Sequence, residues 1–86
     1  MKTIRAKNGE KIEVKWGLGP LSNGQVYVDL PKDYTIRKVS ELFEGLEEIA
    51  ITDEKDVETV YKGYTELVDV QRKRAKNETR LVYEKP

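Results

Sequence analysis

Apolar residues recur at every second position over much of this chain, the spacing of half-buried strands, and change to a helical spacing once. Ile4 and Ala6, then Ile12, Val14 and Trp16, alternate with Arg5, Glu13 and Lys15, and Asn8-Gly9 separates the two runs. This pattern predicts a hairpin. A two-residue turn at Asn8-Gly9 would set Ile4 against Glu13. A three-residue loop, Lys7-Asn8-Gly9 with Gly9 left-handed in a bulge, sets Ile4 against Ile12 and keeps the apolar residues on one face, so that loop is expected. Residues 16–24 carry three glycines and a proline and read as a loop. Val26, Val28 and Leu30 then alternate with Gln25, Tyr27 and Asp29, which predicts a strand ended by Pro31 with Asp29 on its outer face.

The helical spacing falls on Ile36, Val39, Leu42 and Phe43, a stripe for about three turns. Asp33 or Thr35 would cap its start, and Gly45 would end it in a left-handed conformation. Residues 46–52 predict a strand with Ile49 and Ile51 inward, and Asp53-Glu54-Lys55-Asp56 a turn. From residue 57 to residue 74 and again from 79 to 84, β-branched and aromatic residues dominate, the composition of two or three antiparallel strands. An unbroken strand of that first length would be exceptional. Gly63 therefore marks a bend, with residues 57–62 and 64–73 as separate strands or two arms of a bent one. A turn around Lys76-Asn77 would place Val70 opposite Tyr83 and also Lys73 opposite Arg80, a like-charge pair. The sum is an α+β fold, mostly antiparallel β, with about six strands and one short helix, arranged as a rolled sheet or a small partly open barrel.

Length keeps this to a single small β-rich domain over residues 1–86, with a core that hides roughly 60 to 65% of the unfolded chain's surface. Charged residues are as abundant as apolar ones, 37% each, so the expected stability lies near the low end of the usual range, about 5 kcal/mol. Net charge is zero, against the uniform basic field of nonspecific nucleic-acid binders. Its distribution is uneven. Glu41, Glu44, Glu47, Glu48, Asp53, Glu54, Asp56 and Glu58 are countered locally by Lys55 alone, while Arg72, Lys73, Arg74, Lys76, Arg80 and Lys85 face Glu78 and Glu84.

The chain has neither cysteine nor histidine, which removes disulfides, most zinc sites, the Ser-His and Cys-His nucleophile pairs and the commonest general base. No catalytic, metal or cofactor residues are assigned. Met1-Lys2-Thr3-Ile4 has no apolar stretch behind it, so neither a signal peptide nor a membrane span is expected, and the protein is expected in the cytoplasm of a bacterial host or in a virion. Gly17-Leu18-Gly19-Pro20-Leu21-Ser22 lacks the third glycine and the following helix of a phosphate loop, and reads as a structural loop. In the acidic turn after Thr52, Lys55 occupies a position where a calcium loop needs a ligand, and no glycine allows the tight turn. Trp16 reads first as a core-capping side chain and second as a partner contact. Arg72, Lys73, Arg74, Lys76 and Arg80, with Tyr64 and Tyr83 nearby as stacking positions, would suit a basic hairpin for nucleic acid; lysine and arginine at a hairpin tip also protect exposed edges from aggregation.

Val60-Tyr61-Lys62-Gly63-Tyr64-Thr65-Glu66-Leu67-Val68, followed by Thr79-Arg80-Leu81-Val82-Tyr83-Glu84-Lys85-Pro86, resembles the C-terminal pattern of short β-rich proteins encoded by phages and prophages of Gram-positive bacteria. The resemblance covers about the last half of the chain and brings no catalytic or ligand residues with it. It implies a phage-derived, non-enzymatic protein that works through protein contacts, either a structural or accessory component of the virion or an inhibitor of a host factor. The residues expected to meet a partner are Tyr61, Tyr64, Arg72, Arg74 and Arg80, with the strand edges between Tyr61 and Val70 serving self-association or strand addition. The alternative is a nucleic-acid-binding module built on the basic C-terminal hairpin.

Overall fold

The N-terminal hairpin forms in the expected register. A computed structural model describes residues 2–18 and 22–86, with the backbone alone at Trp16 and Leu18. In it, β1 (Lys2–Arg5) and β2 (Lys11–Val14) set Ile4 opposite Ile12, the Gly9 N–H donates to the Ala6 carbonyl at 3.0 Å, and Gly9 is left-handed at φ 87°. β3 (Trp16–Leu18) follows after one residue. This corrects the expected loop over residues 16–24: its first part is a strand paired with β4 (Gln25–Leu30), Gly17 opposite Val28. The remainder turns at Ser22-Asn23-Gly24, while Gly19-Pro20-Leu21 and the Trp16 side chain lie outside the described residues. Val26, Val28 and Leu30 are fully buried, and Asp29 is on the outer face.

α1 (Ile36–Phe43) starts at Thr35, whose hydroxyl accepts from the Lys38 N–H at 3.2 Å, a cap of the kind that contributes about 1 kcal/mol. At its other end Gly45 is left-handed at φ 82°, and the Lys7 N–H from the first hairpin donates to the Leu42 carbonyl at 2.7 Å. The helix is shorter than expected, 8 residues or roughly two turns, and its buried stripe is Val39, Leu42 and Phe43. Ile36, expected in that stripe, is instead 55% exposed, because it faces the gap between α1 and residues 67–70.

Among the described residues the strands form two antiparallel four-stranded sheets, ordered β2-β1-β5-β6 and β3-β4-β8-β7, where β5 is Glu48–Thr52, β6 Glu58–Lys62, β7 Glu66–Lys73 and β8 Glu78–Glu84. These are eight segments where about six strands were expected, the difference being β3 and the full separation of β6 from β7. Lys15 alone separates β2 from β3, and its N–H donates to the Asp29 carbonyl at 2.8 Å, so one bent strand belongs to both sheets. The path around the molecule runs β6-β5-β1-β2/β3-β4-β8-β7, a rolled sheet left open between β6 and β7. At the bend a side chain on Gly17 would stand 3.1 Å from the Ile51 methyl, so this glycine allows close approach of the two sheets. The core inside the roll is one apolar cluster that includes Ile4, Val28, Leu30, Phe43, Ile49, Leu81 and Tyr83.

The C-terminal run divides at Gly63, left-handed at φ 85°: β6 pairs with β5, and β7 crosses to the other sheet to pair with β8. The β7–β8 register also differs from expectation. Val70 stands opposite Leu81, and Lys73 opposite Glu78, because the short 3-10 turn Arg74–Lys76 and left-handed Asn77 (φ 52°) place the reversal one residue earlier. The like-charge pair is thereby replaced by an opposite-charge one. A β-bulge at Val68, between Leu67 and Asp69, shifts the register again.

Candidate functional site

The five residues expected to meet a partner do not form one surface. Tyr61 lies half-buried on β6, while Arg72, Arg74 and Arg80 belong to the β7–β8 hairpin in the other sheet. Tyr64 sits in the link between the sheets, 5% exposed, with its ring edge to face against Tyr61 at 6.4 Å and the Lys85 ammonium 5.1 Å from its centroid. It is part of the core cluster.

The arginines are held by acids distant in sequence. Arg72 donates from Nε and Nη2 to the two carboxylate oxygens of Asp33, at 2.9 and 3.2 Å, and Arg74 approaches the same carboxylate at 3.8 Å. Arg80 makes the same forked contact with Asp29, at 2.7 and 3.0 Å, and lies 5.5 Å from the Tyr27 ring centroid. The Arg72 hydrogen bond holds the Asp33 carboxyl below the usual carboxylate range, and the Lys15 ammonium does the same for Glu78. Both acids are thus kept ionised, the opposite of what a general acid requires. Among the described residues no group of three or more potential ligands gathers around a metal position.

Two depressions concern recognition. One, of about 450 Å³ on the outer face of the second sheet, is lined by Lys15, Lys73, Lys76 and Arg80 with Asp29 and Glu78 among them. Four cations against two anions leave a modest positive excess, already partly spent on ion pairs. The other, of about 250 Å³, is a cleft between Ile36, Val39, Ser40 and Glu44 on α1 and residues 67–70 of β7. Among the described residues β7 pairs with β8 alone, so the edge facing this cleft keeps unpaired backbone donors and acceptors. Ile36 at 55% and Val68 at 45% exposure are two of the three large apolar side chains described as exposed, and both line it.

Two hydroxyls of β8 anchor the chain at the two ends of α1, and one belongs to Tyr83, which was expected as a stacking position for nucleic acid and is instead fully buried. Thr79 is fully buried on β8, where its hydroxyl donates to the Lys32 carbonyl and accepts from the Tyr34 N–H, both at 2.8 Å. The Tyr83 hydroxyl donates to the Phe43 carbonyl at 2.8 Å at the end of α1, and burial pushes its ionisation well up. The signal for Thr79 was its place in an otherwise apolar inward row with Leu81 and Tyr83. Edge strand, helix wall and fixed ends have the geometry to take an extended chain, and the polar side chains lining the cleft are Ser40, Glu44 and Asp69. No helix among the described residues is long and apolar enough to cross a membrane. Comparison of the chain with family models, with curated proteins and with solved structures returns no significant match.

Proposed function

We propose that this chain is a non-enzymatic protein of phage type that acts through protein–protein contacts, as a structural or accessory component of a virion or as an inhibitor of a host factor. The observation that carries the reading is the open seam of the roll, where, among the described residues, β6 and β7 each keep an unpaired edge and that of β7 runs beside a partly apolar cleft. The phage-type origin rests on the resemblance of the segment from Val60 to Val68 and of the C-terminal strand. Cytoplasm of the bacterial host or the assembled particle is the corresponding location.

The test is capture of phage and host proteins by the tagged chain, compared with Val68→Lys, which adds an edge charge at an exposed position without touching the core. Light scattering at high concentration accompanies it. Capture or self-association that Val68→Lys abolishes supports the reading; a strict monomer that captures nothing sinks it.

A second reading has one observation behind it, the positive excess around Lys15, Lys73, Lys76 and Arg80. Nucleic acid bound there would give a mobility shift lost steeply with salt and lost in Lys73→Glu/Lys76→Glu. The engagement of Arg72 and Arg80 by Asp33 and Asp29 counts against it.

A further inference from the structure

We infer that the cleft between α1 and the free edge of β7 takes a short, extended segment of a partner protein, carrying alternating apolar and basic residues, as an added strand. This deepens the protein-contact reading and rests on it. Three features select that occupant.

The first is the unpaired backbone of β7, which offers hydrogen bonds to any chain in extended form and thus asks for a strand rather than a helix. α1, with 8 residues, is about 12 Å long, the span of roughly four extended residues, so the segment is short. The walls are fixed before binding, α1 by its Thr35 cap and by the Lys7 and Tyr83 contacts at its far end, and β7 by its ladder to β8, so little ordering is required of the protein.

The second feature is chemical. Ile36 and Val68 present exposed apolar surface, whereas the charged groups lining the cleft are Glu44 and Asp69, with no cation among them. Ser40 donates to the Glu44 carboxylate at 2.6 Å and positions it, and Arg72, the nearest cation along β7, is occupied by Asp33. Apolar side chains alternating with lysine or arginine satisfy both parts of this lining.

The third feature disfavours a second copy of the chain. Pairing two β7 edges would bring Glu44 and Asp69 of each molecule towards the same acids of the other. β6, the other open edge, borders none of the described depressions.

The test uses fluorescein-labelled acetyl-Lys-Val-Lys-Val-Lys-Val-amide, its twin with glutamate in place of lysine, and a lysine peptide N-methylated at alternate amides. Fluorescence anisotropy at moderate salt should show the basic peptide binding at least tenfold more tightly than the acidic one. N-methylation, which keeps the charge and removes ladder donors, should abolish binding, and Glu44→Lys/Asp69→Lys should reverse the charge preference. Thermal melts of each variant confirm that it is folded. Equal binding of the N-methylated peptide, an unchanged preference after charge reversal, or no binding at millimolar peptide overturns the inference. If the chain still captures phage or host proteins after Val68→Lys, protein contact survives and the cleft does not; if even the unaltered chain captures none, the broader reading falls as well.

Discussion

Thr79 shows how much a single hydroxyl can carry in a small domain. It has no exposed surface, and its hydroxyl bonds both the Lys32 carbonyl and the Tyr34 N–H at the point where the chain leaves the second sheet for α1. Thr79→Val keeps the shape and strands both backbone groups, so a loss of about 2 kcal/mol is expected in urea denaturation. Thr79→Ser keeps the hydroxyl, sheds one buried methyl, and should cost about 1 kcal/mol or less. Asp33 and Glu78 give a dependence on pH. Their carboxyls are lowered in the folded state by Arg72 and Lys15, so their contribution is complete above the ordinary carboxylate values near 4 and is lost as pH falls through the lower folded values. The urea midpoint should therefore drop between pH 5 and pH 2, and Asp33→Asn should drop less steeply over that interval; equal slopes would contradict the assignment. Asp33 was weighed in the sequence only as a helix cap, a role that Thr35 fills. Its partner Arg72 lies 39 residues away, and no local pattern joins them.

Elements defined by their own neighbours were readable from the chain. The Lys7-Asn8-Gly9 loop follows from one register that buries Ile4 and Ile12 together, and α1 from Thr35, the Val39 to Phe43 stripe and Gly45. β3 was missed because the glycines from Gly17 to Gly24 suggested a loop, whereas Gly17 lies within a strand and packs close to the Ile51 methyl of the other sheet. The β7–β8 register was missed because it depends on the bulge at Val68 and the 3-10 turn at Arg74–Lys76, and neither has a period. The bend at Gly63 was expected and is testable. A side chain there would meet Lys85 at no less than 3.5 Å, so space is available and the cost is that of a positive φ alone. Gly63→Ala should accordingly destabilise by about 1 kcal/mol, as measured by thermal melting, and leave the fold intact.

At the scale of the molecule, the class of fold and its open roll were readable and the strand order was not. Antiparallel strands with one helix follow from alternation, but the assignment of β6 to one sheet and β7 to the other depends on pairings between distant segments. The same holds for the candidate site. Arg72, Arg74 and Arg80 look like a basic patch in the sequence, and folding brings Asp33 and Asp29 onto them, while the cleft beside β7 joins segments some thirty residues apart, Ile36 and Val68 among them. The strand bent at Lys15 has a mechanical consequence. Since its two halves pair in different ladders, loss of one sheet is expected to loosen the other. Amide exchange under mild denaturant should then show Ile4 and Leu81, on opposite sides of the bend, opening with one shared free energy. Two separate energies would mean that the bend is a hinge, and the two sheets would be independent folding units in one chain.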